Sequence, residues 1–303
     1  MDFAEYQITA QKTDQAPLTS SDDVKSLILP LLGLAGESGS LLTHYKRYLR
    51  DGEAYTIFRD RISEELGDIL WNVANIATKT NLNLNEVAQL NLQKIGDRWN
   101  DQSIGVGAKL FDENFTATEQ FPRNFEINVD SELSDQDNKG HAQLLFQAKQ
   151  FGNELTDNAY EDDGYRLHDV FHLAFVAILG WSPVLRGKHF FNCKRKSDKD
   201  VDEVQDGGRA AVIDEAIVAL IFTEAKKNSF FEGVDSVEYG LLRTIKDLTA
   251  HLEVSVCSGK QWEITILAAC KIWRELKVHQ HGKIFGDLNA RSIKFVPCMS
   301  SNC

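Results

Sequence analysis

The stretches Gly33-Leu-Ala-Gly-Glu-Ser-Gly-Ser40 and Glu64-Glu-Leu-Gly-Asp68 decide how this chain folds. Both lie in segments whose apolar spacing predicts a helix. In the second stretch, Glu65 and Asp68 are three residues apart, so both carboxylates project from one helical face. The residues that follow are apolar and predict burial, and charged carboxylates beside a buried stripe are costly unless they are paired. A hard divalent cation such as Mg²⁺ offsets that cost, because it binds carboxylates, waters and phosphate oxygens.

The composition is that of an acidic globular protein. The chain has 303 residues, of which 43% are hydrophobic, and a net charge of −12. This charge disfavours nucleic acid and anionic membranes as partners. The five cysteines are odd in number and lack metal-type spacing, which is typical of reduced thiols. Without a secretory signal or an apolar run of about 18 residues, we expect a cytoplasmic protein that does not bind membranes.

Local patterns divide the chain into three parts. Helical periodicity marks four segments of residues 1–100, near 3–13, 24–49, 57–79 and 83–99. Residues 101–160 are loop-rich and alternate with period two around 124–130, which predicts a linker that contains a β-hairpin. Helical patterns return in residues 161–303, near 165–181, 208–227, 235–247 and 258–279, and a strand-like tail follows at 291–296.

The two helical parts also show an internal similarity. Asp214-Glu215 begins a long apolar helix in the way that Glu64-Glu65 does, and Asp235–Asp247 parallels Asn85–Asp97. Both comparisons have an offset of about 150 residues, which indicates a duplicated unit. The sequence therefore predicts a mainly α protein with two helical-bundle modules, at 1–100 and 161–303, joined by the hairpin segment.

The first module resembles the MazG-like nucleoside triphosphate pyrophosphohydrolases, an all-α family related to the dimeric dUTPases. The family signature is E-x-x-E, a gap, and then E-x-x-D. Glu37 to Ser40 stand at the first element and Glu65 to Asp68 at the second, and the 24 residues between them fall within the family's range. Ser40 departs from the signature, because it replaces a glutamate by a hydroxyl that is a weak Mg²⁺ ligand.

The resemblance implies a Mg²⁺-dependent attack of water on a nucleoside triphosphate, with Mn²⁺ as a possible substitute ion, giving a nucleoside monophosphate and pyrophosphate. The implied metal ligands are Glu37, Glu65 and Asp68, and Glu37 or Glu64 would be the general base. The implied contacts to phosphate, sugar or base are Lys46, Asn72, Asn91, Lys94 and Arg98.

A second polar cluster begins the second module. His168 and His172 have the i, i+4 spacing of a shared metal site on a helix. A second metal or nucleotide site there would draw on these histidines and nearby acids: Glu161, Asp162, Asp169 and Glu215. The alternative interpretation is that the histidines lie at a repeat interface and form hydrogen bonds to those acids. The basic loop at 186–196 could also reach triphosphate charge, although such loops are more often only solvated.

Two functions from different classes remain open at this point. The first is a nucleotide pyrophosphohydrolase, which the carboxylates and Lys94 favour. The second is a nucleotide-sensing or interaction protein on the same fold, which Ser40 favours. MazG-like helices generally need a second subunit to complete their bundle, so we expect either a homodimer or a pseudo-dimeric monomer in which the second module takes that place.

Overall fold

The computed structural model describes residues 1–16, 24–99, 109–133, 140–157 and 159–298. The chain forms two compact units, Met1–Gly96 and Asp97–Cys303. Among the described residues there are eight α-helices and six β-strands. The prediction of a mainly α protein is therefore confirmed.

The first unit is built from the four predicted helices, and their existence is confirmed. They are α1 (Phe3–Gln11), α2 (Val24–Asp51), α3 (Phe58–Lys79) and α4 (Leu84–Trp99). A capping box of Asp2 and Glu5 begins α1, because each side chain accepts a hydrogen bond from the other residue's backbone N–H. The sequence offers Asp22 or Asp23 as the N-cap of α2, but both residues lie outside the described part of the chain.

Gly33 allows α2 and α3 to approach closely. A Cβ atom on Gly33 would lie only 2.5 Å from Oδ1 of Asn72. Asn72 is buried, and its amide donates a hydrogen bond to the carbonyl oxygen of Asp68 at 3.0 Å. Because a larger residue at position 33 would displace this asparagine, the glycine sets the spacing of the helices beside the predicted carboxylate site.

A buried lysine ties the first unit together. Pro30 lies inside α2 and has no N–H to donate to the carbonyl of Ser26. The ammonium of Lys79 donates to that carbonyl instead, at 2.9 Å, and to the carbonyl of Ala16 at 2.7 Å. It also forms an ion pair with Asp14 at 2.8 Å, and its side chain is only 3% exposed. Lys79 thereby joins the start of α2 and the end of the α1 region to α3.

The first unit leaves much apolar surface exposed. Its buried apolar cluster is small and consists of Ala10, Ala74, Ala77 and Leu84. On α2, the side opposite Gly33 and Glu37 carries large apolar side chains that are 44% to 69% exposed. We call them the α2 stripe: Ile28, Leu31, Leu32, Leu42, Tyr45 and Leu49.

One helical stretch of the described residues, Ser26–Ala54, is long and apolar enough to cross a membrane by length and composition. Length and composition alone are weak support for a membrane span, because helices that pack against protein share them.

The second unit combines an antiparallel sheet with four helices. Its strands are β1 (Asn124–Leu133), β2 (Gly140–Phe146), β3 (Lys149–Gln150), β4 (Leu155–Thr156), β5 (His281–Asp287) and β6 (Ser292–Pro297). The strand order is β3-β2-β1-β5-β6, and β4 also pairs with β2. Its helices are α5 (Asp169–Ala174), α6 (Gly208–Lys227), α7 (Tyr239–Thr249) and α8 (Gly259–His279).

The layout of two helical-bundle modules is not confirmed. The hairpin of β1 and β2, predicted within a separate linker at 101–160, belongs to the sheet of the second unit. Its strand β1 pairs with β5, in a register that sets Ile127 opposite Ile284. Because these partners are more than 150 residues apart, neither local periodicity nor the internal similarity indicated the pairing.

Two other local predictions for the second unit were wrong. The segment 165–181 is not one long helix, since a 3₁₀ turn, the short α5 and a π-helical turn at Phe175–Leu179 follow each other. The charged loop at 186–196 does not present its arginines to solvent. Arg186 and Arg195 are buried, and Arg195 pairs with Asp206 at 2.7 Å and with Glu253 at 2.6 Å. These guanidiniums are therefore structural.

A large apolar core supports the second unit. The segment from Val170 to Leu179 is buried, and none of its residues is more than 3% exposed. The ring of Phe175 lies edge-on to Trp262 of α8, with centroids 5.3 Å apart. Three cysteines, Cys193, Cys257 and Cys270, are buried free thiols.

Candidate active site

Three carboxylates converge between α2 and α3. Glu37 is on α2, and Glu65 and Asp68 are one helical turn apart on α3. A hydrogen bond with Glu65 raises the pKa of Glu37, and partial desolvation and the charges of Glu65 and Asp68 raise it further. A raised pKa is the expected result of carboxylates that share one small volume without enough cations nearby.

His44 is a member of this group that sequence reasoning missed. Its Nε2 atom lies 3.3 Å from Oε1 of Glu65, and its Nδ1 atom lies 2.7 Å from the hydroxyl of Tyr55. His44 follows Glu37 by seven residues, so the two side chains share a face of α2. That spacing was the available signal, but only the packing of α2 against α3 brings His44 to Glu65.

A cleft of about 620 Å³ opens beside the carboxylates. Glu37, Asp68 and Asn72 form part of its polar wall, and Leu29 and Trp71 form part of its apolar wall. The indole N–H of Trp71 donates to the hydroxyl of Thr13 at 2.8 Å, which fixes the ring. An apolar wall that faces acids is suited to a ligand with a planar ring at one end and charged oxygens, bridged by a cation, at the other.

The surroundings of Glu64 differ from those of the three carboxylates. It forms an ion pair with Arg61 at 2.7 Å and is 58% exposed, whereas the side chain of Glu65 is 13% exposed. Neighbouring residues on a helix point about 100° apart, so Glu64 leaves the face that carries Glu65. The structure thus does not bring the predicted alternative base to the carboxylate group.

The predicted phosphate and base contacts are mostly outside the cleft. Asn72 lines it, but Lys46, Asn91 and Lys94 are exposed and do not. The side chain of Arg98 lies outside the described part of the structure. Ser40 is half-buried on α2, one turn beyond Glu37.

The donor set fits a hard divalent cation. Three carboxylates from two helices supply oxygen ligands, and half-buried Glu37 lines the cleft, which leaves room for waters and phosphate oxygens. The raised pKa of Glu37 is a further reason, because a bound cation would relieve the repulsion that causes it.

The second predicted cluster is also assembled, in the second unit. Donor atoms of His168, His172 and Glu215 all lie within 4.8 Å of one another. Burial lowers the pKa of His172, but the facing carboxylates of Asp214 and Glu215 outweigh burial and raise it to about 10. Interaction with His172 lowers the pKa of Glu215, and burial raises that of Asp169.

Two of the acids predicted for this cluster lie elsewhere. Asp162 forms ion pairs with Arg166 and Lys277, both at 2.7 Å, and Glu161 is exposed. Asp169 is buried and its Oδ1 atom lies 3.6 Å from Nε2 of His168. Asp214, which sequence reasoning had not singled out as a site residue, contacts His172 instead.

Comparison with known proteins assigns both units. Residues 32–102 match the model of the MazG nucleotide pyrophosphohydrolase domain, and residues 106–299 match that of the MazG C-terminal domain. This chain belongs to the MazG family. The resemblance predicted from Glu37, Glu65 and Asp68 is therefore confirmed. The second unit matches a different family model, that of the MazG C-terminal domain.

A phage protein shares part of this MazG chain. The "Gene 37 protein" of Mycobacterium phage L5 is 35% identical over 96 residues, which are 31% of this chain and 84% of that protein. No solved structure matches the chain.

Proposed function

We propose that this MazG protein is a Mg²⁺-dependent pyrophosphohydrolase that cleaves a nucleoside or deoxynucleoside triphosphate to the monophosphate and pyrophosphate. The observation that carries the proposal is the convergence of Glu37, Glu65 and Asp68 beside a cleft, within the segment that matches the nucleotide pyrophosphohydrolase domain.

Each residue of the group has a role in this proposal. Glu37, Glu65 and Asp68 hold Mg²⁺, and Mn²⁺ would be held by the same oxygens. When bound, the ion neutralises phosphate charge and lowers the pKa of a coordinated water. Glu37, which lines the cleft where the substrate would lie, accepts the proton of the attacking water. His44 holds the Glu65 carboxylate in orientation through its 3.3 Å contact.

The cleft suits the rest of a nucleotide. The ring of Trp71, held by Thr13, offers a flat surface to the base, and the amide of Asn72 is close to the carboxylates. Lys46, Asn91, Lys94 and Arg98 remain proposed contacts to phosphate, sugar or base. They would act on a triphosphate that extends from the cleft.

We also propose that the active form is a homodimer formed through the α2 stripe. Six large exposed apolar side chains along one side of a helix form the kind of patch that marks a contact with another protein. A second copy of α2 would bury the stripe as in a helical bundle.

The direct test is release of pyrophosphate from a panel of nucleoside and deoxynucleoside triphosphates, with Mg²⁺, with Mn²⁺ and with EDTA. We expect monophosphate and pyrophosphate in equal amounts, no reaction in EDTA, and no reaction by Asp68→Ala. Nucleoside diphosphate and phosphate as products, or full activity of Asp68→Ala, would contradict the proposal.

Ser40 supports a second candidate function, that of a nucleotide-sensing or interaction protein. One carboxylate fewer at the site weakens metal binding, and a weakened site can bind a nucleotide without cleaving it. The two functions differ in one experiment. A sensor binds a nucleotide in calorimetry and releases no pyrophosphate, whereas the enzyme releases it with repeated turnover.

A further inference from the structure

The second unit contains a set of metal-binding side chains that the proposed pyrophosphohydrolase does not use. His168 precedes α5, His172 is on α5 and Glu215 is on α6. The Oε2 atom of Glu215 lies 3.4 Å from Nε2 of His172 and 3.9 Å from Nε2 of His168. Both imidazoles therefore turn the same nitrogen toward one carboxylate.

The other nitrogen of each ring, Nδ1, already lies within hydrogen-bond distance of an acceptor oxygen. The Nδ1 atom of His168 lies 2.9 Å from the carbonyl oxygen of Tyr165, and a carbonyl can only accept, so Nδ1 carries the hydrogen. The Nδ1 atom of His172 lies 2.9 Å from Oδ1 of Asp214. The Nε2 atom of His172 faces the Glu215 carboxylate and can carry a proton there, which a bound ion would displace. Both Nε2 atoms then present a lone pair to the same small volume.

The groups behind the histidines are rigid. The Oδ2 atom of Asp214 accepts hydrogen bonds from the Ser182 hydroxyl at 2.6 Å and from the Val184 N–H at 3.1 Å. The carboxylate is fully buried, so His172 cannot turn without breaking this network. A carboxylate that orients a histidine in this way is the usual outer partner of a metal-binding imidazole.

His168 is fixed by stacking. Its ring lies parallel to that of Tyr165, with centroids 4.5 Å apart and planes inclined by 11°. Both rings are thus held in orientation, and Glu215, which is 48% exposed, is free to adjust.

We propose that His168, His172 and Glu215 bind one divalent transition-metal ion, through the two Nε2 atoms and the Glu215 carboxylate. Two imidazoles select ions such as Zn²⁺, Co²⁺, Mn²⁺ or Fe²⁺ over Mg²⁺ and Ca²⁺, which prefer oxygen alone. Ligands at about 2.0 to 2.2 Å from an ion are roughly 3.4 Å apart in a tetrahedron. The distances of 3.4 and 3.9 Å to Glu215 are near that value, and the three donor atoms all lie within 4.8 Å of one another, so an ion would draw the widest pair together by about 1 Å.

The site is of the open type. Three protein ligands leave at least one position for water, as in metal sites that do chemistry rather than those that only support a fold. Solvent reaches the site on the exposed side of Glu215, and the buried carboxylate of Asp169 lies next to His168. Asp169 is therefore placed to accept a hydrogen bond from a metal-bound water.

The test is titration of the full chain with Co²⁺, followed by visible absorption and by the bound metal per chain after gel filtration. The chain carries Glu65→Gln and Asp68→Asn, so that the carboxylate site of the first unit does not contribute. We expect one equivalent of Co²⁺ with absorption bands of nitrogen coordination, displaced by Zn²⁺ and not by Mg²⁺.

Variants with matched controls identify the ligands. Glu215→Gln and His168→Ala should each weaken Co²⁺ binding at least about a hundredfold, and Asp214→Asn about 10 to 100-fold. The controls Glu224→Gln, on the same helix, and His251→Ala, an exposed histidine, should bind as the parent does. Thermal unfolding shows whether each variant is folded; His172 is fully buried, so the test does not depend on its replacement.

Two results would overturn the proposal. The first is a folded parent chain that binds neither Co²⁺ nor Zn²⁺, which would mean that the cluster is only a set of histidine–carboxylate ion pairs. The second is equal binding by Glu215→Gln, His168→Ala and their controls, which would place the ion elsewhere. Neither result affects the pyrophosphohydrolase of the first unit, which has its own assay.

Discussion

The two units keep their clustered ionisable groups in opposite surroundings. In the first unit, Glu37 faces an open cleft and its carboxylate neighbours repel it. In the second, His172 and Asp214 are fully buried and paired at 2.9 Å. Repulsion on an open surface does not stabilise a fold, whereas a paired, hydrogen-bonded network can be part of a core. The carboxylates of the first unit are therefore explained by a ligand that they bind. The histidines and acids of the second unit are explained in part by the packing of its core.

The cores differ in the same sense. The second unit buries aromatic and aliphatic side chains from all four of its helices and from its sheet. Among its described residues, the first buries a few alanines, Tyr55 and Leu84, and it relies on polar ties such as Lys79. We therefore expect single substitutions to lower the stability of the first unit more than that of the second. We also expect dimerisation to stabilise the first unit more.

The largest expected effect on stability comes from Lys79. Replacement by Met removes the cation from Asp14 and the donors from two carbonyls, and should lower the free energy of unfolding of the first unit by about 3 to 5 kcal/mol. The second unit should unfold as before. Urea unfolding followed by hydrogen exchange separates the two units. With the exposed Lys46→Met as control, equal stability of both variants would contradict the role of Lys79.

The α2 stripe is the next feature to test. Leu42→Asp places a charge where we propose a second copy packs, and should weaken dimerisation at least about a hundredfold, as measured by analytical ultracentrifugation. Val256→Asp, in the second unit, is the control, because Val256 is exposed to a similar degree, 78% against 67% for Leu42. A wild-type chain that is monomeric at high concentration would refute the dimer. If the wild-type chain sediments with lipid vesicles and Leu42→Asp does not, the result would instead favour membrane contact through this helix.

Gly33 tests the close approach of α2 and α3. Gly33→Ala would press a methyl group against Asn72 and should destabilise the first unit by about 1 to 3 kcal/mol. Gly36→Ala, three residues on, meets no atom within 4 Å and should be neutral or stabilise the helix by up to about 1 kcal/mol. Thermal unfolding of the pair checks this, and equal shifts for both would show that the helices do not constrain position 33.

A substitution at Ser40 has the smallest expected effect on free energy, and it tests directly whether the carboxylates of the first unit bind a metal ion. Ser40→Glu restores a carboxylate one turn beyond Glu37 and should raise Mn²⁺ affinity about tenfold, a gain of about 1.4 kcal/mol, in calorimetry. Ser63→Glu, an exposed position on α3 that faces away from Glu65, adds the same charge away from the site and serves as control. Equal gains in both variants would mean that the effect is general electrostatics and not ligation.

Some of this structure could be predicted from the sequence because it depends on local spacing. The period of 3.6 residues located α2 and α3, and the i, i+3 spacing set Glu65 and Asp68 on one face. The same reasoning could not choose between Glu64 and Glu65, because the partner helix decides which face is inward. It could not find the contact of His44 with Glu65, which also depends on that packing.

The sheet of the second unit shows the other limit. Strand β5 has glycines at 282 and 286, which argue against a strand when the sequence is considered alone. In the sheet, the rings of Phe295 and Phe125 lie over these positions, and a Cβ would come within 2.3 Å of either ring. The glycines are required by neighbours from distant parts of the chain, so no local pattern could indicate them.

The central claim is tested most directly by two adjacent substitutions on α3. Pyrophosphate release with Mg²⁺ is measured for the wild type, Glu65→Gln and Glu64→Gln on the preferred nucleotide. We predict that Glu65→Gln lowers the rate at least about a thousandfold, or about 4 kcal/mol, and that Glu64→Gln stays within about twofold of the wild type. Equal rates for the two variants, or a greater loss in Glu64→Gln, would contradict the assignment of Glu37, Glu65 and Asp68 as the active site.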